Sequence, residues 1–376
     1  MKRVICTILI IGLVFSFLGC KKKKPNPSEP PEGNSTPSSS VNTQDDFYKT
    51  MVAVSVPTVT DYTTHEDGTV LSKYTYQSMS LVLHKPQVAD KIILDFLNRV
   101  DSTGVSAKGI ANQAKSAYNG DKNWVPYLYY ITYNPTRIDN KVLSLFGNNV
   151  VFSGAGHPER TCVSASYDLL TGDVLTLASI MNKGATMQQL LDLVLSGLTE
   201  MAEGNYLYSN YKAVVFNRFF DSDPAHDEGW YFTQTGLCFY FAPYEIAPYS
   251  SGVIIVEIPY EKLSNILHEA YLPSVRPETS ATLIVTPFES TNLAEFSHIA
   301  ELVMDKNAKM YMVKADNIAQ DVRIILSDNT SSYTVFAAYN LAAGDGIMVQ
   351  AGDDILKDMK LTYKKGKETV SKPLIG

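Results

Sequence analysis

Residues 186–202 read TMQQLLDLVLSGLTEMA and form the clearest element of the chain. Their apolar side chains recur every three or four positions and so share one face of an α-helix; they are Met187, Leu190, Leu191, Val194, Leu195, Leu198 and Met201. Gly204 follows and predicts the end of the helix. A helix with such a stripe is stable only when the stripe packs on another layer, so its neighbours decide the fold.

Strands and helices alternate around this helix, from Asp46 to about Pro273. Residue patterns predict strands at 73–83 and 127–133, and further helices at 88–99, 107–118 and 260–271. In the second strand, four apolar or aromatic residues alternate and share one face: Tyr127, Tyr129, Ile131 and Tyr133. This mixture predicts an α+β domain over 46–273, with helices packed on an antiparallel sheet and with halves 46–150 and 151–273.

The pattern changes after residues 274–280, a stretch that contains Pro277 and reads as a linker. Seven short runs rich in Val, Ile, Tyr and Thr follow, separated by Asp, Asn and Gly; they are 281–286, 310–314, 322–327, 333–339, 346–351, 359–364 and 369–374. Seven short strands in about a hundred residues are typical of a small β-sandwich. We therefore expect a second, all-β domain over 281–376. The stretch 293–304 fits either a helix or a strand.

The first forty residues indicate export and membrane attachment. Lys2 and Arg3 precede an apolar run that is short for a membrane span but suits an export signal, predicted here as residues 1–19. The sequence Phe-Leu-Gly-Cys ending at Cys20 resembles the lipobox of bacterial lipoproteins, in which the cysteine is lipidated; the alternative is an uncleaved anchor. Residues 20–45, four lysines followed by a Pro- and Ser-rich stretch, predict a disordered tether next to the membrane. Either interpretation places the protein in a bacterial envelope, outside the cytoplasm.

Charge and cysteine content restrict the class of partner. The chain has 32 basic and 39 acidic residues, of which six basic and two acidic residues precede Val41, so the remainder carries about −11. This charge argues against nucleic acid and favours a cationic partner. Cys162 and Cys238 lie in predicted strands of the exported part. They form either one disulfide or two small buried apolar side chains, and no metal-ligand spacing includes either residue.

Two stretches of the α+β region resemble a known family. Residues 230–252, WYFTQTGLCFYFAPYEIAPYSSG, and Ile258-Pro-Tyr260 resemble the RsiV-like extracellular domain of a lysozyme-sensing anti-sigma factor, also found beside the catalytic domain of a peptidoglycan deacetylase. Gly154-Ala-Gly-His157 and the hairpin turn at Thr171-Gly172 are similar to the same family. The resemblance covers about residues 46–273. It implies an extracellular recognition domain and predicts a ligand site at His157, Tyr244, Glu245 and Tyr249.

Each of these candidates also has a structural interpretation. His157 either binds a ligand or makes a structural hydrogen bond, and Glu245 either contacts a ligand or accepts hydrogen bonds from nearby backbone N–H groups. Asp221, Asp223 and Asp227 are a weak calcium candidate, because carboxylate oxygens suit that ion; a solvated acidic stretch is the alternative. We predict no catalytic residue, no resident metal and no cofactor.

The leading hypothesis is a non-catalytic, lipid-anchored envelope protein. Its expected partners are the membrane, through the N-terminal lipid, and either a lysozyme-like muramidase or the peptidoglycan itself. One alternative is a cell-wall-modifying enzyme or enzyme subunit that uses His157, Glu245 and the acidic residues near Asp221; such a site would bring two of these groups into one cleft. Another is a structural surface protein that assembles through its β-sandwich.

Overall fold

The structure of the chain is a computed structural model. It describes residues 6–7, 9–11, 52–83, 85–101, 106–154, 156–202, 207–219, 228–274, 276, 278–288, 308–327 and 332–376. Several residues named in the sequence analysis lie outside the described ranges: Cys20, the tether, Gly204, the acidic stretch 221–227 and the stretch 293–304. No helix within the described ranges is long and apolar enough to span a membrane.

The N-terminal and middle part of the chain is built on a six-stranded sheet with strand order β1-β4-β5-β7-β8-β9. Its neighbouring strands run antiparallel except β5 and β7, which are parallel. The strands are β1 Cys6–Thr7, β4 Thr58–Thr64, β5 Val70–Gln77, β7 Tyr127–Ile138, β8 Val142–Phe152 and β9 Glu159–Asp168. Two helices join β5 to β7 and pack on this sheet: α1 Pro86–Asp101, which follows the short strand Ser80–Val82, and α2 Ala107–Ala117. A parallel pair needs such a crossover, which explains where these helices lie.

A smaller unit follows, in which the helix predicted at 186–202 covers a three-stranded sheet. The sheet has the order β10 Trp230–Phe232, β11 Gly236–Phe241 and β12 Ile254–Pro259. Its helices are α3 Leu177–Ile180, α4 Met187–Ala202, α5 Tyr211–Phe219 and α6 Tyr260–Leu263. Helix α4 approaches β12 closely at Gly197, where an added Cβ would lie 2.4 Å from Cγ2 of Val256. The apolar stripe of α4 therefore packs on this sheet, as its spacing predicts.

The predicted helix over 260–271 is mostly wrong. Only the first four residues of this stretch, which form α6, are α-helical, and a 3-10 turn covers Glu269–Tyr271. Between them, Leu267 forms a β-bridge with Met181, and the backbone N–H of His268 donates to the carbonyl of Ile180 over 2.8 Å. These contacts with α3 take backbone groups that a continuous helix would use.

The seven C-terminal runs all form strands, and the α+β class with a sandwich-like C-terminal part is confirmed. One sheet has the order β13-β14-β17-β2 and the other β19-β18-β15-β16-β3-β6, and one apolar core includes side chains from both sheets. The strands are β2 Leu9–Ile11, β3 Ala53–Ser55, β6 Ser80–Val82, β13 Leu283–Pro287, β14 Lys309–Ala315, β15 Ala319–Ser327, β16 Ser332–Leu341, β17 Gly346–Ala351, β18 Met359–Lys365 and β19 Glu368–Pro373. A short helix, α7 Asp353–Leu356, joins β17 to β18.

Two strands from the start of the α+β part, β3 and β6, belong to this C-terminal sandwich. Strand β3 pairs with β16, and β6 pairs with β3, so the predicted strand at 73–83 is two strands in two different sheets. The sheet that the C-terminal strands build is thus completed by residues from the start of the α+β part. The predicted boundary near 274–280 remains a prediction, but the hydrogen-bonded sheet crosses it.

The first two strands come from the predicted export signal. Cys6–Thr7 pairs with the edge strand β4, and Leu9–Ile11 pairs with the edge strand β17. Removal of the signal would leave both edges without these partners. Cleavage and lipidation of the N-terminus remain predictions.

A buried arginine joins the large sheet to the smaller unit. Arg137, near the end of β7, is 1% exposed and pairs with Asp139 over 2.6 Å. Its Nη1 donates to the hydroxyl of Tyr260 over 2.8 Å and to the carbonyl of Tyr271 over 2.6 Å. The guanidinium carbon also lies 5.1 Å from the ring centre of Phe232. We call Arg137, Asp139, Tyr260 and Tyr271 the Arg137 cluster; it uses its charges inside the fold.

Candidate functional site

The loop between β11 and β12 is held by Glu245. One carboxylate oxygen accepts the backbone N–H of Ala242 over 2.8 Å, and the other pairs with Nη1 of Arg218 on α5. Both side chains are about a quarter exposed. These contacts match the structural interpretation of Glu245, in which the carboxylate caps the start of the loop. Arg218 had no role in the sequence-based hypothesis, although it is a charged residue in a largely apolar helix segment.

The same loop holds Tyr244 in an uncommon backbone conformation. Its φ is +72°, a left-handed value that a residue with a Cβ adopts only at an energetic cost. Its backbone N–H donates to the carbonyl of Ala247 over 3.0 Å, which closes the turn. The side chain is 57% exposed, although it is a large aromatic group. The fold thus supports a strained residue whose ring points toward solvent.

His157 approaches this loop from the β8–β9 hairpin. Gly154 and Gly156 adopt φ values of +89° and +52°, so the glycines of the Gly-Ala-Gly-His segment allow the tight path. The imidazole stacks on the ring of Tyr249 with centres 3.9 Å apart, and Nε2 lies 3.0 Å from the hydroxyl of Tyr244. The hydroxyl of Tyr249 donates to the carbonyl of Pro158 over 2.7 Å.

Three of the four predicted ligand residues therefore form one exposed group. We call His157, Tyr244 and Tyr249 the His157 surface. It combines two tyrosine rings with an imidazole that either donates or accepts a hydrogen bond, according to its tautomer. Glu245 lies behind it and positions the loop. Large, rigid aromatic groups with a polar end are the side chains that dominate recognition surfaces.

Among the described residues, the two polar candidates of the enzyme hypothesis have separate partners. His157 contacts Tyr244, Tyr249 and the Pro158 carbonyl, whereas Glu245 contacts Arg218 and Ala242. No hydrogen bond joins His157 to Glu245 in the described part of the chain. The calcium candidates Asp221, Asp223 and Asp227 lie outside it, and their prediction stays open. Elsewhere in the described ranges, no group of three His, Cys, Asp or Glu side chains is arranged for a metal ion.

Cys162 and Cys238 are free thiols that contact the same small aromatic cluster under the smaller sheet. Cys238 is buried, and Cys162 is half-buried with its sulfur 3.6 Å from Oδ1 of Asn148. Burial raises the pKa of each thiol to about 12. The two cysteines thus match the second alternative from the sequence, small buried side chains.

Two clefts lie near the end of the α+β part, of which the larger also reaches the sandwich, and neither contains a predicted site residue. Their volumes are about 370 and 350 Å³, and both are lined by Asp139, Pro273 and Ser274. In the larger one, Asp139 and Asp321 are already paired with Arg137 and Arg276. The guanidinium of Arg276 also lies 3.8 Å from the ring centre of Tyr339 in the sandwich. These charges hold the two parts together.

Comparison with known proteins gives a family match and several similar structures, two of which are DUF3298 proteins. Residues 178–261 match the family described as "Protein of unknown function (DUF3298)". No curated protein matches the chain. A DUF3298 family member from Bacteroides fragilis is 17% identical with a TM-score of 0.41, over 58% of this chain and 94% of that one. A DUF3298 family protein from Pseudomonas aeruginosa is 17% identical with a TM-score of 0.40, over 58% of this chain and 98% of that one. The region from α3 to the start of α6, which includes Tyr244 and Tyr249, is thus the part of the chain that matches DUF3298.

Proposed function

We propose that this chain is a non-catalytic, lipid-anchored protein of the bacterial envelope that recognises a lysozyme-like muramidase or the cell-wall glycan. The RsiV-like resemblance and the predicted export signal with Cys20 support a location of the recognition domain outside the cytoplasm. The observation that carries the proposal is the His157 surface, where residues about ninety positions apart in the chain meet in one exposed group.

The geometry of the His157 surface favours binding of a protein partner over a catalytic role. It is exposed rather than enclosed, and Tyr244 is fixed by its loop, so little side-chain freedom is lost on binding. The exported part carries about −11, which attracts a cationic muramidase and speeds its encounter. Affinity, in contrast, would come from the exposed rings, because tyrosines are enriched among residues that dominate binding energy.

A binding measurement with lysozyme tests this function. The full-length protein in mild detergent is titrated with lysozyme by calorimetry, at low and at physiological salt. We expect saturable binding that persists at physiological salt, where charge attraction alone is screened beyond about 8 Å. Tyr244→Ala should weaken it at least tenfold, which corresponds to about 1.4 kcal/mol.

Tyr62→Ala is the matched control, because Tyr62 is a comparably exposed tyrosine on β4, which three strands separate from β9 in the same sheet. Its affinity should equal that of the wild type. Binding seen only at low salt, or equal effects of the two substitutions, would contradict a specific role of the His157 surface. Absence of binding would exclude the muramidase and leave peptidoglycan fragments as the ligand to test.

A further inference from the structure

A row of aromatic rings crosses one end of the large sheet. It runs from His65 to Tyr118, Trp124, Tyr127 and Phe152, with successive ring centres 4.9, 5.3, 5.1 and 6.3 Å apart. We call these five residues the aromatic row. They come from the β4–β5 hairpin, the segment after α2, and the adjoining ends of β7 and β8. Four separate parts of the chain thus bring rings to one place.

The row is exposed in a way that a core cluster is not. His65 is exposed and the other four rings are only half-buried, whereas Trp230, the other tryptophan of the chain, is 0% exposed. Val125, next to Trp124, is 60% exposed, so this face is open to solvent. Five clustered rings that all keep contact with water form an aromatic patch, and such patches can mark interaction sites.

Polar groups border the row and fix its rings. The hydroxyl of Tyr118 donates to Oδ2 of Asp67 over 2.9 Å and lies 3.1 Å from the hydroxyl of Thr69. The indole N–H of Trp124 donates to the carbonyl of Leu71 over 3.3 Å. The Thr69 backbone N–H and neighbouring hydroxyls hold the pKa of Asp67 well below its usual value. Asp67 is therefore a charged acceptor at the edge of the rings in every physiological condition.

We infer that the aromatic row is a binding site for the sugar rings of an uncharged pyranose oligosaccharide. A pyranose has an apolar C–H face, which packs on an aromatic ring, and a rim of hydroxyls, which need donors and acceptors beside that ring. Successive rings pack on one another, edge to face except for the stacked pair Trp124–Tyr127, so a sugar would lie on the ring surfaces that stay in contact with water. Asp67, Thr69 and His65 supply the polar groups. The inference deepens the proposed function, because it rests on the envelope location and assigns the glycan to a site of its own.

The row also lies close to the His157 surface without sharing its residues. The ring of Tyr127 occupies the space where a side chain at Gly154 would lie, 2.8 Å from the ideal Cβ position, and His157 follows three residues later. A glycan on the row would thus approach the hairpin that carries His157. The two sites remain separable by substitution, because Trp124 and Tyr244 do not contact each other.

Intrinsic fluorescence tests the inference directly. The chain has two tryptophans, and Trp230 is fully buried, so a ligand-dependent change in emission reports mainly on Trp124. The full-length protein in detergent is titrated with chitotetraose, an uncharged oligomer of a cell-wall sugar. We expect a saturable change in emission. A flat or non-saturating titration at millimolar sugar would overturn the inference.

Variants measured by calorimetry locate the site. Trp124→Ala and His65→Ala should weaken chitotetraose binding at least tenfold and about threefold, respectively, while Trp124→Phe keeps a ring and should stay close to the wild type. His65 is exposed at the end of the row, so its replacement leaves the fold intact even if Trp124→Ala does not. Tyr62→Ala and Tyr244→Ala should bind the sugar like the wild type. Equal binding by His65→Ala and the wild type, or loss in Tyr244→Ala alone, would place the sugar elsewhere; neither result bears on lysozyme binding.

Discussion

The Arg137 cluster and the His157 surface both combine aromatic rings with groups that carry or can gain charge, but they do so in opposite ways. Arg137 is 1% exposed and its guanidinium bonds to a carboxylate, a hydroxyl and a carbonyl of the same chain. At the His157 surface, Tyr244 keeps 57% of its area in solvent and a backbone φ of +72°. The first arrangement is complete without a ligand, and the second maintains strain and exposed rings that the fold itself does not need. Stability and recognition should therefore respond to different substitutions.

The largest effect should follow from Arg137→Met. Methionine keeps much of the volume but leaves the Asp139 carboxylate buried without its partner, and breaking such a pair typically costs about 3–5 kcal/mol. We expect a loss of this size in the free energy of unfolding, measured by urea denaturation. Arg160→Met, at an exposed arginine on β9, is the control and should change it by less than about 0.5 kcal/mol. A stable Arg137→Met protein would show that the cluster does not hold the two units together.

Glu245→Gln should have an intermediate effect on both the free energy of unfolding and the affinity for lysozyme. The amide oxygen still accepts the Ala242 N–H, but the charge that pairs with Arg218 is gone, at a cost of about 1–2 kcal/mol. Because the loop then loses one of its two supports, lysozyme binding should weaken several-fold. A double-mutant cycle with Arg218→Met checks the cause, since the two substitutions should be non-additive. Additive losses would mean that Glu245 acts independently of Arg218.

Two substitutions at Tyr244 distinguish the effect of backbone strain from the effect of the ring on recognition. Tyr244→Gly relieves the left-handed strain and Tyr244→Ala retains it, so the glycine variant should be more stable than the alanine variant by about 0.5–1 kcal/mol. Both variants lack the ring and should lose lysozyme binding to the same extent. Urea unfolding and calorimetry on the same two proteins give both values. If the glycine variant binds like the wild type, the ring of Tyr244 is not part of the recognition surface.

Local patterns predict much of the secondary structure because their information lies within a few residues. The apolar spacing of Met187–Ala202 and the seven β-rich C-terminal runs are examples. Pairing across the chain is different. Strand β3, with only three residues, joins β16 nearly three hundred positions later, and no periodicity in Ala53–Ser55 specifies that partner. The helix predicted to Tyr271 fails for the same reason, because its backbone groups pair with residues near Ile180.

Part of the candidate site was predictable from the family resemblance rather than from local residue patterns. The residues His157, Tyr244 and Tyr249 came from a resemblance, and the structure brings them into contact. Trp124 and its neighbours in the aromatic row carry no short motif, since rings from four segments meet only after the sheet forms. The role of Arg218 was equally unpredictable, because a single arginine in a helix does not indicate which carboxylate it pairs with.

The smallest effect near neutral pH concerns the thiols of Cys162 and Cys238. The structure keeps Cys162 and Cys238 neutral, with pKa values of about 12, whereas an unfolded thiol ionises near pH 8.5–9. A pKa that is higher in the folded state means that the unfolded state loses its proton first, so this contribution to stability is present below pH 8.5 and is lost as the pH rises toward 12. The urea midpoint should hence be flat from pH 7 to 8 and fall above pH 9, with a shallower fall in Cys162→Ala.

Iodoacetamide at pH 8 should alkylate both thiols at least tenfold more slowly in the folded protein than in urea. Rapid alkylation of Cys162 would show that the aromatic cluster around it opens readily, and the contrast between a closed interior and an exposed recognition surface would then fail at this position.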